Sequence, residues 1–193
     1  MKTWRIAGRY FASPPPADWR PQLATRLGHR PRRIGEWVEL ALFGARQCLD
    51  DAGEMDLPAA ALLSLSSLHG PDIALRIALQ QAGDGVPMPI AFLGSQPSQA
   101  LPALAKYLGW QGNGRCLTTR DPSLALRLAC LEAGTDGMLL GWVDEDAPGK
   151  SIWLRLLPTA PGDTAFRAAT FAMLEEARFN VLAFDGMQLQ LGA

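Results

Sequence analysis

Apolar residues recur at three- and four-residue steps over 34–52, where Ile34, Val38, Ala41, Ala45, Cys48 and Ala52 fall on one face. That spacing predicts a helix, and Gly53 closes it. Residues 61–67 alternate, carry leucines and end before Gly70-Pro71, which predicts a strand. A short helix is expected over 72–81, closed by Gly83. Pro87 and Pro89 bracket an extended approach to Phe92-Leu93-Gly94-Ser95. Over 97–108 a helix is expected again, with Leu101, Leu104, Ala105 and Leu108 on one face and Gly109 as its stop.

A strand over 114–119 leads to Asp121-Pro122, an N-cap followed by the residue best tolerated at the first helical position. The helix expected over 123–133 is apolar on nearly every side, as in helices buried between two layers. Residues 138–143 read as a buried strand and 152–157 as another. A loop over 158–162 precedes a helix expected from Asp163 to about Ala177. The last elements pair 181–184 with 187–191 in a hairpin around Asp185-Gly186. Strands alternating with helices place the chain in the α/β class, with a mixed sheet and helices on both faces. Residues 1–33 carry Pro14-Pro15-Pro16 and many arginines and read as an irregular arm on the body of a single domain.

Composition narrows the picture. Of 193 residues 48% are hydrophobic and 19% charged, which supports a packed core. The formal net charge is -1, so no global field attracts nucleic acid. No apolar run is long enough to span a membrane, and Met1 to Tyr10 lack the core of a signal peptide, so the expected compartment is the cytoplasm. Cys48, Cys116 and Cys130 form neither a disulfide framework nor a zinc pattern. No phosphate loop, dinucleotide fingerprint, zincin or nucleophile-elbow motif occurs, so neither a metal nor a cofactor is expected. The basic run Arg30, Arg32 and Arg33 beside His29 is either a solvated loop or a small anion-binding patch.

Four stretches in order resemble the N-terminal half of the β-ketoacyl synthases. Arg33-Ile34 through Cys48-Leu49-Asp50-Asp51-Ala52-Gly53 is similar to an early helix ending "L-x-D-A-G". The stretch from Pro89 through Ser95 to Leu108-Gly109 and Gly112 resembles a Ser-led helix followed by "L-G-x-x-G-P", with Asn113 in place of the proline. Ala125 to Ala133 with Asp136 resembles the helix after the nucleophile, and Leu139-Leu140-Gly141-Trp142-Val143-Asp144-Glu145 the turn "L-V-G-G-x-D-E". The resemblance covers somewhat over half the chain. It is closest to short ketosynthase-like, chain-length-factor-like proteins of aryl polyene and xanthomonadin-type pigment clusters. It implies a thiolase-like half-fold, with residues 163–193 as a divergent C-terminal extension.

The resemblance also implies where a nucleophilic cysteine would stand: the strand–helix junction, which here reads Thr119, Arg120, Asp121. An ungapped count places Cys116 there instead, but it would bury Cys116 in the strand and put Pro122 in mid-helix, where proline costs about 3 kcal/mol. The family's two histidines come from its second half, whereas His29 and His69 both precede the junction. The leading expectation is a non-catalytic subunit pairing with an active ketosynthase in polyketide or fatty-acid-type synthesis. Two alternatives stand beside it: a small acyltransferase or thioesterase using Cys116, and a module binding acyl carrier protein through Arg30, Arg32 and Arg33. The all-apolar helix needs cover, for which Phe166, Phe171, Met173, Leu174, Phe179 and Phe184 are suited.

Overall fold

Strand β1 (Lys2–Ala12) runs through the sheet, where the sequence reading placed an irregular arm. It pairs antiparallel with one strand on each side, along 150–158 and 181–184. A register shift between Ile6 and Gly8 explains why no alternation was visible. Before the shift Trp4 and Ile6 point to one face; after it Tyr10 points to the other, and Phe11 takes up the first. A helix packs so closely on Gly8 that a Cβ there would overlap the Cys48 carbonyl oxygen. The rest of the supposed arm holds α1 (Trp19–Leu27), ended by Gly28 in the left-handed conformation; 13–18, with the proline run, and 28–33 are irregular as expected.

The computed structural model describes residues 1–86, 89–146, 148–160, 165–176 and 178–192. Onward from α1 come α2 (Glu36–Asp51), β2 (Leu62–Ser67), α3 (Asp72–Gly83), α4 (Pro89–Gly94), a 3-10 turn at Pro97–Gln99 and α5 (Ala100–Tyr107). Then follow β3 (Gly114–Thr118), α6 (Pro122–Glu132), β4 (Met138–Asp144) and β5 (Lys150–Pro158). The chain ends through β6 (Arg167–Ala168), a 3-10 turn at Phe171–Glu175, β7 (Val181–Phe184) and β8 (Leu189–Gly192). Among the described residues no helix is long and apolar enough to cross a membrane.

All eight strands form one mixed sheet in the order β3-β2-β4-β5-β1-β7-β8-β6. Strand β2 is parallel to both β3 and β4, and every other pairing is antiparallel. Alternation splits the core in two. Leu63, Leu65, Leu139, Val143 and Trp153 face α2 and α5; Leu62, Leu140, Leu154 and Leu156 face α6 and the C-terminal segment. Helices on both faces follow from this two-sided burial.

Three further expectations are corrected. Pro89 opens α4 rather than extending the chain, because its fixed φ and missing N–H suit a first helical turn. The helix expected over 163–177 is absent from 165–176, which hold β6 and the short turn Phe171–Glu175; Asp163 and Ala177 lie outside the described residues. Leu174 from that turn is buried with Phe179 and Phe184 against α6, so the apolar periodicity there reflects packing and not a helix. Finally, α6 is buried on one face only: Ala125, Leu126, Ala129 and Cys130 are covered, while Leu131 is 55% exposed.

Candidate functional site

The C-terminal ends of β2, β3 and β4 lie side by side, the edge at which open α/β sheets place their ligands. Asp144 closes one part of it, accepting hydrogen bonds from the Leu68 amide and the Trp142 indole N–H, both at 2.7 Å. Glu145, the next residue, accepts from the Ile73 amide at 2.7 Å and so holds the start of α3. Burial pushes the Glu145 carboxyl up from its ordinary value, with the negative charges of Glu36, Asp146 and Asp72 adding to it, against the lowering effect of that amide bond.

Between β3 and α6 the chain turns through Thr119, Arg120 and Asp121. The Thr119 amide donates to the Ser67 carbonyl at 3.0 Å, which ties the turn to the end of β2. The Thr119 hydroxyl accepts from the Asp121 amide at 3.1 Å. Asp121 is a true N-cap: Oδ1 accepts from the Ser123 amide at 2.8 Å, and Oδ2 pairs with Arg127 at 3.2 Å. Both carboxylate oxygens are therefore engaged, and Arg120 is exposed. A shallow cavity of about 420 Å³ opens here, lined by Asp121, Ser123 and Arg127 on one side and Ala168, Gln188 and Leu189 on the other. The C-terminal segment thus forms a wall of this junction.

Cys116 stands three residues earlier, inside β3 and opposite Leu65. Its Sγ lies 3.1 Å from the Pro97 carbonyl, and burial pushes the thiol up to about 12. It is not at a helix N-terminus, so it lacks the field that lowers a reactive cysteine. Cys48 and Cys130 are buried in the two cores. Neither histidine bonds a cysteine among the described residues. The ring of His29 sits 3.1 Å from the Leu27 carbonyl and 5.8 Å from the Tyr107 ring, and His69 is exposed in the bend after β2.

The basic run is only partly brought together. Arg30 and Arg32 line a cavity of about 380 Å³ with His29, Lys106 and Tyr107, while Arg33 adopts a positive φ of 62° and is not in the lining. Lys106 and Tyr107 come from the last turn of α5, and the Lys106 ammonium lies over the Tyr107 ring at 5.0 Å. Sequence reasoning missed both. The available signal was that Lys106 is the sole charge between 97 and 114.

The fold is that of the thiolase-like ketosynthases. No protein-family model and no curated protein sequence matches the chain. Among solved structures, a chain of the ketosynthase ApeO in complex with its chain length factor ApeC from Xenorhabdus doucetiae is similar at a TM-score of 0.62 and 14% identity, over 99% of both chains. The ishigamide ketosynthase/chain length factor is similar at 0.57 and 15% identity over 74% of this chain, which spans 47% of its partner in the comparison. The complex AntDE:AntF, a type II PKS acyl-carrier protein with its ketosynthase bound to the hexaketide, is similar at 0.59 and 12% identity, over 87% of this chain and 69% of that one.

Proposed function

We propose that this chain is a non-catalytic, single-domain ketosynthase-like subunit, acting in the cytoplasm and pairing with an active ketosynthase in aryl polyene or related polyketide or fatty-acid-type synthesis. The observation that carries the reading is the junction before α6. A ketosynthase needs there a thiolate able to hold an acyl group. This chain offers an N-capping carboxylate with both oxygens engaged, beside Thr119 and Arg120. Cys116 lies back within the strand with its thiol pushed up to about 12. The end-to-end match to a chain of a ketosynthase–chain length factor complex supports the pairing.

The test is co-expression with each active ketosynthase of the source organism. The chain is expected to co-purify with one of them, and deletion of this gene to change product length. Separate elution together with unaltered product would end the proposal.

A second reading is favoured by the basic cavity. Arg30, Arg32 and Lys106 around a concave surface would steer an acidic carrier protein. Charge reversal of Arg30, Arg32 and Lys106 is expected to slow association with an acyl carrier protein of the source organism and to flatten its salt dependence. Unchanged kinetics would remove this reading.

A further inference from the structure

Helix α3 has no buried residue, although its sequence is mostly apolar. It packs on α4, whose six residues are also unburied. Across the two helices and the adjoining Val86, eight large apolar side chains expose between 38% and 72% of their surface, with Leu79, Val86, Ile90 and Phe92 each at 60% or more. At roughly 200 Å² per side chain of this size, the exposed total is on the order of 800 Å². That exceeds the largest apolar patch of a typical monomer and equals the share one partner contributes to a standard protein interface.

Charge decides what kind of surface would cover it. From 72 to 95 the only charged residues are Asp72, Arg76 and Asp84. Arg76 is taken up by ion pairs to Asp72 and to Asp146. Among the described residues of the two helices no free cation remains to hold an anionic lipid headgroup, and surface-lying helices depend on such cations. The hairpin also leads directly to the free edge of the sheet. It passes into the Pro97–Gln99 turn, whose Pro97 carbonyl is bonded to Cys116 of edge strand β3. Beneath it a cavity of about 170 Å³, lined by Trp37, Pro71, Ile73, Ile77 and Glu145, leaves room for the helices to settle when covered.

We infer that the α3–α4 hairpin is the surface on which the partner ketosynthase docks, meeting an uncharged apolar face of that protein. The inference rests on the pairing proposed above and adds to it the place of contact. Its test compares three forms with each active ketosynthase of the source organism, by light scattering and calorimetry: the natural chain, Leu79→Glu/Ile90→Glu, and Met55→Glu. Met55 is 77% exposed in the bend after α2 and serves as the control for adding charge elsewhere.

The natural chain and Met55→Glu are expected to bind alike, and the double variant to bind about a hundredfold more weakly. All three should keep the same circular dichroism melt, since the altered side chains are exposed. Equal binding by the double variant would overturn the site while leaving the pairing intact. No binding by the natural chain would overturn the pairing itself, and the inference with it. If the natural chain forms a homodimer that the double variant abolishes, or floats with phosphatidylglycerol vesicles, then a second copy or a membrane covers the hairpin, and the docking assignment fails.

Discussion

The chemistry of Cys116 gives the sharpest test of whether this chain is an enzyme. An ordinary thiol of pKa near 8.5 is roughly one-tenth thiolate at pH 7.5. With the Cys116 thiol pushed up to about 12, the thiolate fraction falls by about three and a half powers of ten. A more basic thiolate is intrinsically more nucleophilic and recovers about one and a half of these. Alkylation by iodoacetamide should therefore run about a hundredfold slower than for glutathione, and slower still because the thiol is partly covered. The assay is intact-mass and peptide mapping over a time course from pH 7 to 10, with an acyl-thioester incubation in parallel. The rate is expected to climb about tenfold per pH unit through pH 9 without a plateau, and no acyl adduct should form. In guanidinium all three cysteines should react at ordinary rates. A plateau below pH 9, or acylation that Cys116→Ala abolishes, would refute the reasoning and revive the enzyme reading.

Three further perturbations follow from the packing. Arg155 is fully buried, bonded to both Glu54 oxygens at 2.6 and 3.0 Å and to the Asp136 carbonyl at 2.9 Å. Glu54→Gln leaves that guanidinium without its counter-charge and should cost about 3 kcal/mol, since Glu54 is itself partly exposed. This corresponds to a Tm lower by roughly 6–12 °C, and a loss under 2 °C would contradict it. Gly141→Ala sets a Cβ 2.5 Å from the Trp153 ring and should cost about 2–3 kcal/mol by overpacking, read from a urea midpoint shift at constant slope. Glu145→Gln keeps an acceptor for the Ile73 amide. Because burial raises the folded-state pKa above the unfolded one, the penalty sets in as pH rises past the ordinary carboxyl value and is complete above the folded value, whereas well below the ordinary value the carboxyl is neutral in both states. The variant's Tm should thus exceed the natural chain's at pH 7.5 and approach it at pH 4; a gain independent of pH would sink the assignment.

Where one local rule dominates, the sequence was readable. The stripe of α2, the leucine strand β2, the Asp121-Pro122 helix start and the closing hairpin all appear where periodicity and caps put them. Gly141 is small because the Trp153 ring lies across it, a cross-strand contact invisible to any local window. Strand β1 was hidden by its bulge, which switches the inward face midway. The basic cavity was half legible: Arg30 and Arg32 are neighbours in sequence, but Lys106 and Tyr107 reach them only through the packing of α5.

The C-terminal segment shows how one set of helices and strands gains a second core. The resemblance implies a second sheet over α6, and the described residues form one sheet. The segment acts in two ways at once. Strands β7, β8 and β6 extend the sheet beyond β1, while Leu174, Phe179, Phe184 and Leu189 close over Leu126, Ala129 and Cys130. At about 25 cal/mol per Å² of apolar surface, burying that inner face of α6 stabilises the fold by several kcal/mol. The same arrangement brings Gln188 and Leu189 to the mouth of the cavity beside Asp121. On the proposed function, the segment that covers α6 also stands at the approach to the place where a ketosynthase would carry its acyl thioester.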